Sequence, residues 1–263
     1  MGRWPFFAGL TGVVLLVVVA CQTVPITGRS QIMLLPEPEE TRMGLQSYQE
    51  ILRKSRISRD TQFNYLVSRV GTRIAQATGR TDYRWEFKVI EDDKQVNAFA
   101  LPGGKVAVYT GILPVTKDDA GLATVMGHEV AHAIARHGGE RVSQGLLVQA
   151  GLTAVQASLA SRDPRMVQQV TGLLGAGAAV GVILPFSRAQ ESEADHLGLI
   201  YMAKAGYDPR AAISFWQRMD QAARGRAGPP QFLSTHPSHE TRIKQIEEWV
   251  PEALLYYQTS PHR

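Results

Sequence analysis

The chain has 263 residues, 44% of them hydrophobic and 20% charged, with a net charge of +4. Those values describe a globular protein able to bury the core of one large domain or two small ones, and they exclude a disordered or fibrous chain. The Lys and Arg residues are dispersed, so nothing calls for a nucleic-acid partner; the densest cluster, Leu52 to Arg59, reads as a solvated helix end.

The N-terminus carries one early positive charge, Arg3, then an uncharged run from Trp4 to Ala20 that ends at Cys21, the sole cysteine. The run is short for a membrane span, which takes roughly 20 apolar residues, and suits an export signal over residues 1–20. One cysteine makes no internal disulfide, so its use is chemical. Small residues ahead of a cysteine at this place resemble a bacterial lipoprotein signal, although Val18 stands where such signals favour Leu. That resemblance implies lipidation of Cys21 and attachment to a membrane through an N-terminal lipid anchor. Gln22, where an Asp would favour inner-membrane retention, then points to the periplasmic side of the outer membrane.

Residues 21–38, with three prolines and little periodicity, read as a tether. A helical pattern opens near Glu39 on Met43, Leu45, Tyr48, Ile51 and Leu52. A second runs from Asp60 to about Ala77 on Phe63, Leu66, Val67, Val70 and Ile74, and stops at Gly79. "RWEFKVI" alternates as a half-buried strand does, and "VNAFALPGGKVAVYTGIL" is a hairpin around "PGG". "TKDD" at Thr116 to Asp119 has the form of a helix start, and Gly138-Gly139 that of a stop. Between Arg141 and Arg188 two nearly uncharged stretches flank Pro164, which predicts a helical hairpin packed on the core. Two further helices follow, about Ser187 to Lys204 and Pro209 to Ala223, then a short amphipathic one inside "STHPSHETRIKQIEEW". A domain over residues 39–250 and a tail over 251–263 complete the expected organisation.

"VMGHEVAHAIARH", residues 125 to 137, sets His128 and His132 one helical turn apart with Glu129 beside the first. Residues four apart share a helix face, so both imidazoles can reach one ion. Imidazole and carboxylate suit zinc, and a catalytic zinc takes three protein ligands. The pattern arises by chance on the order of once in a hundred such chains. Its apolar surroundings (Leu122, Val125, Met126, Val130, Ile134) argue further, because burying such groups without a task is costly.

The third ligand is sought in "RAQESEADHLGLIYMAKAGYDP", where Glu191, Glu193 and Asp195 compete. Glu191 and Asp195 share a face, whereas Glu193 lies about 160° round from Glu191. Glu191 is therefore assigned as ligand and Asp195 as the carboxylate that orients a ligating histidine. Glu193 is expected to be a solvated surface acid, His196 a structural or surface residue, and His137 a partner for its helix terminus.

"HEVAH", "ESEAD", "AGYDP" and "STHPSHETRI", preceded by "NAFALPGGKVAVYTGIL", resemble in residues and order the gluzincin peptidases of the CAAX prenyl protease, HtpX and BepA kind. The resemblance covers roughly Glu39 to Trp249. It implies an α+β, mostly helical, zincin-like metallopeptidase domain with a small antiparallel sheet and a His-Glu-x-x-His active-site helix. It implies one Zn2+ per chain on His128, His132 and Glu191, with Glu129 as the catalytic acid and base and Asp195 as a catalytic aspartate. His236 matches a family histidine near the zinc, which either stabilises the oxyanion or binds zinc in a resting form. Arg242 is either a salt-bridge partner near the site or a surface residue. No tetratricopeptide tail and no multiple membrane spans are evident.

"NAFALP" is the expected edge strand for an extended peptide, with Asn97, Ala98 and Phe99 in contact with substrate. Asn97 either bonds the substrate backbone or caps the strand. Together these features predict a zinc endopeptidase acting on unfolded or misassembled envelope proteins. The alternative is a zinc-stabilised chaperone or assembly factor, against which Glu129 argues, because binding alone needs no base.

Overall fold

The structure, a computed structural model, describes residues 21–159, 186–224, 230–237 and 241–263. The chain divides into two compact units. One comprises Met1–Glu37 and Gly138–Leu184; the other, Pro38–His137 and Pro185–Arg263, holds the residues expected to bind metal.

In the first unit, β1 (Cys21–Thr23) and β2 (Ser30–Ile32) pair antiparallel, so the expected tether carries a short hairpin. Arg29 donates to both carboxylate oxygens of Glu140 at 2.8 and 2.9 Å, and Ser143 Oγ accepts from Leu34 N at 2.9 Å. The expected export signal, and Pro164 with the second arm of the expected helical hairpin, lie outside the described residues. No helix among the described residues is long and apolar enough to cross a membrane.

The second unit begins with α1 (Glu37–Lys54) and α2 (Thr61–Thr78). Asp60 caps α2 by accepting from Gln62 N and Phe63 N, and Gly79 ends it at φ 71°, a conformation glycine adopts at little cost. The buried stripe of α2 is Val67, Val70, Gly71, Ile74 and Ala75; Phe63, which belongs to the apolar pattern of the sequence, is exposed at the start of the helix. Strands β3 (Glu86–Ile90), β4 (Ala98–Leu101) and β5 (Lys105–Tyr109) form a sheet in the order β3–β5–β4. The tight turn at Pro102–Gly104 joins β4 to β5 antiparallel, and β3 docks on the far side of β5, running parallel to it. The sheet is therefore mixed rather than antiparallel throughout. β4 lies at its edge.

A short α3 (Leu113–Thr116) leads into α4 (Asp119–Ile134), the helix of the His-Glu-x-x-His motif. Asp118, not Thr116, caps it, accepting from Gly121 N at 2.8 Å. Every residue from Gly121 to Ile134 is buried. The helix stops before the expected glycines because Arg136 adopts φ 57°, and α5 (His137–Leu159) begins directly after it. α6 (Arg188–Lys204) opens with a reciprocal capping box between Ser187 and Gln190. α7 (Ala211–Arg224), α8 (Gln231–Thr235) and α9 (Arg242–Gln258) complete the unit; α9 runs on past Pro251, beyond the short helix expected there.

α4 and α6 cross at a pair of glycines. A Cβ on Gly127 would stand 2.8 Å from Gly198 O, and one on Gly198 2.9 Å from His128 N. With no side chain at the crossing, the backbones meet, and the residues one turn either side face each other. Gly127→Ala gains up to about 1 kcal/mol of helix propensity, against about 1–3 kcal/mol for overpacking a core. We expect a net loss of about 1–2 kcal/mol, read as a lower denaturant midpoint, together with weaker metal binding.

Candidate metal centre

Four donor atoms, one each from His128, His132, Glu191 and His236, lie within 4.8 Å of one another, and all four residues are buried. His132 Nε2 is 3.1 Å from His128 Nε2. Glu191 Oε2 is 3.4 Å from His128 Nε2, and Glu191 Oε1 is 3.2 Å from His132 Nε2. α4 supplies His128 and His132, the first turn of α6 supplies Glu191, and His236 stands at the end of α8.

The arrangement fits a cation. His128 Nδ1 sits 2.8 Å from Asp195 Oδ1, so Nδ1–H donates to the carboxylate and Nε2 keeps its lone pair for the cluster. Two imidazole nitrogens and a carboxylate turned toward one point, away from water, need positive charge among them. Burial lowers the pKa of His128, but Glu191 and Asp195 overcome it and push it up to about 9. Burial alone would raise Glu191; His128, with hydrogen bonds from His128, His132 and His236, holds it well below the carboxylate range.

Arg242 lies at the centre of the supporting shell and not on the surface. Its side chain is 1% exposed, its Nε is 2.7 Å from Asp195 Oδ2 and its Nη2 is 3.0 Å from Glu191 Oε2. The guanidinium lies 3.4 Å over the ring centroid of Trp216, whose edge meets His128. Burial would raise Asp195, but Arg242 and His128 hold it low.

Glu129 is buried beside the cluster, with Oε1 3.4 Å from His236 Nε2. Burial pushes its carboxyl up from the usual range, against a downward pull from His236 and His128. His236 Nδ1 is 2.9 Å from Glu191 Oε1, and Phe232 and Phe186 stack on its ring. Asn97 precedes β4, and its Oδ1 accepts from Ala98 N at 3.0 Å, the capping arrangement. Ala98 is buried and Phe99 half-buried. His196 bonds Glu252 at 2.8 Å and stacks on Trp249, away from the cluster. Cys21 is exposed in β1.

Two expectations are corrected. Glu193 is no solvated acid: it is 7% exposed and its Oε2 is 2.9 Å from His137 Nε2. His137 does not serve the end of the motif helix. It is fully buried at the start of the next helix, with Nδ1 2.8 Å from His132 Nδ1. Helical angle placed Glu193 away from the metal, and that holds; it is buried because another histidine meets it there. The signal available was His137 itself, five residues after His132.

A His-Glu-x-x-His helix completed by a glutamate from a second helix defines a gluzincin-type metallopeptidase. The chain belongs to Peptidase family M48, whose sequence profile matches residues 61–250, and it is a zinc metallopeptidase. It is 39% identical over 262 residues to mitochondrial metalloendopeptidase OMA1 of Schizosaccharomyces pombe, covering 98% of this chain and 75% of that protein. With the human metalloendopeptidase OMA1, mitochondrial, identity is 32% over 271 residues, covering 96% and 51%. With the beta-barrel assembly-enhancing protease of Escherichia coli it is 28% over 229 residues, covering 85% and 46%. The more similar of these relatives carry mitochondrial in their printed names, which overturns the expected outer-membrane location. That expectation rested on a few small residues and on the single residue after Cys21, a weak physical signal beside similarity along the whole chain.

Glu191→Gln should lose bound zinc while Glu193→Gln keeps most of it, measured by metal content after dialysis. In the metal-free protein, His128 titrates near 9 folded against about 6.5 unfolded. A raised histidine contributes its stability fully below the unfolded value and loses it as pH rises through the folded one. The metal-free protein's melting temperature should therefore fall between pH 6.5 and 9, while zinc affinity rises because its imidazole ligands must be deprotonated.

Proposed function

We propose that the chain is a membrane-associated zinc endopeptidase of protein quality control, cleaving exposed segments of unfolded or misassembled proteins. One observation carries this reading: the edge strand β4 packs on the motif helix α4, which carries Glu129 and both histidine ligands. A peptide added to β4 runs past Glu129 and the metal ligands, held main chain to main chain and so with little demand on its sequence. Unfolded protein offers such extended segments; folded protein does not. The relatives' printed names support both parts of the reading, endopeptidase activity in the mitochondrial proteins and enhancement of beta-barrel assembly in the Escherichia coli one.

His128, His132 and Glu191 hold the zinc, which when bound supplies a Lewis acid that acidifies water and polarises the scissile carbonyl. Glu129 takes the water's proton and returns it to the leaving amine. A carboxyl raised by burial is better matched to that exchange near neutral pH than a solvated one. Asp195 holds the His128 Nδ1–H. His236 lies between Glu129 and Glu191, the place from which it ligates the metal at rest or donates to the developing oxyanion. Asn97, Ala98 and Phe99 set the start of the strand on which substrate aligns. Cys21 is the expected point of lipid attachment.

Casein and the zinc-loaded chain provide the test. Glu129→Gln should lower cleavage by about 10²–10⁴-fold with zinc content unchanged, and a chelator should abolish cleavage reversibly. Zinc-replete wild type that binds casein without cutting it would establish the chaperone reading instead. For the anchor, a mass spectrum of the mature protein should show an acylated Cys21 that is absent in Cys21→Ser; an unmodified cysteine removes that part of the proposal.

A further inference from the structure

His137 and Glu193 are buried, titratable and outside the chemistry described above, yet both ring nitrogens of His137 are engaged. Nδ1 lies 2.8 Å from Nδ1 of His132, and Nε2 lies 2.9 Å from Glu193 Oε2. A nitrogen–nitrogen contact that short holds one proton, carried by one ring and accepted by the other. Glu193 decides which. As a carboxylate it accepts only, so His137 carries its proton on Nε2 and offers a lone pair at Nδ1. His132 must then carry Nδ1–H, which leaves its Nε2 lone pair directed at His128 and Glu191.

The backbone is bent to allow this contact. In an uninterrupted helix, residues five apart point about 140° away from each other, so His137 would face away from His132. Arg136, at φ 57°, ends α4 and turns His137 back. The left-handed conformation is sterically unfavourable for a non-glycine residue, and a buried ion pair, Arg136 Nε to Glu40 Oε2 at 2.7 Å, holds it in place. The two metal-binding histidines are thus supported unequally: His128 donates directly to a carboxylate that Arg242 pairs, His132 to a neutral imidazole with a carboxylate behind it.

We propose that His137 is a positioning residue for the metal, and that with Glu193 it fixes His132 as the Nδ1–H tautomer whose Nε2 binds zinc. The proposal rests on His132 as a zinc ligand. Outer partners of metal-bound histidines contribute about 10–100-fold in affinity.

The test is zinc affinity of the full chain, measured by competition with a chromophoric chelator. His137→Phe fills the space without bonding and should bind zinc about 10–100-fold more weakly. His137→Gln, whose Oε1 accepts and whose Nε2 donates to Glu193, should recover most of that loss. If His137 only fills space, His137→Phe keeps wild-type affinity and His137→Gln does no better; that result overturns the proposal. Should His137→Phe not fold, nitrogen-15 NMR of the zinc-loaded wild type decides. Protons on His132 Nδ1 and His137 Nε2 are expected, and a proton on His137 Nδ1 overturns the assignment. Wild type that binds no zinc at all would remove the metal centre itself, an outcome distinct from a failure confined to His137.

Discussion

The centre depends on how closely two helices approach. Two imidazoles on one helix and a carboxylate on another share an ion only if the backbones carrying them come together. At the crossing of α4 and α6, Gly127 and Gly198 leave nothing between the chains. From that contact, His128 and His132 project on one side, with Glu191 and Asp195 opposite them. A single methyl group at either glycine would meet backbone, which has no rotamer by which to yield. Ridge-and-groove packing with larger side chains holds axes 8–10 Å apart, and these short side chains would then fall short of one another.

Charge is the second constraint, and it explains why Arg242 is where it is. Glu191 and Asp195 are buried together, and Glu129 lies within the same cluster. Buried carboxylates cannot all ionise without compensation. Arg242 bridges Glu191 and Asp195 from below while its flat face rests on Trp216, a geometry that Lys could not reproduce. The remaining positive charge falls to the metal. Glu129 faces His236 and not Arg242, and burial keeps its carboxyl above the usual carboxylate range.

Much of this was legible in the sequence wherever one element carried the information. The spacing of His128, Glu129 and His132 declares a shared face, and the four-residue step from Glu191 to Asp195 declares another. The caps at Asp60 and Ser187 and the stops at Gly79 and Gly206 follow from local chemistry. What was not legible depends on two elements at once. Glu193 sits on the wrong face of its own helix for the metal and was read as solvated, because nothing on that helix shows that His137 arrives there. For Arg242, distant in sequence, a salt bridge near the site and a surface role stood equally open, because its partners lie on another helix. The parallel pairing of β3 with β5 was hidden for the same reason, since alternation reveals a strand and not its neighbour.

The break in α4 at Arg136 shows where local and global requirements part. Its residues are acceptable helix formers, and the glycines that follow are a natural stop, so the pattern extends the helix to them. The structure ends it sooner, with a left-handed arginine that a continuous helix would not need. A strained position persists when the surroundings determine it, and here they include Glu40 on one side and the His132–His137 contact on the other. Without the break, His132 would lack its Nδ1 partner, and its ring could turn to offer either nitrogen. Unequal support of the two histidines thus follows from the backbone: His128, in mid-helix, takes its partner from across the Gly127–Gly198 crossing. His132 stands too near the helix end for that, and its partner comes from the turn that follows.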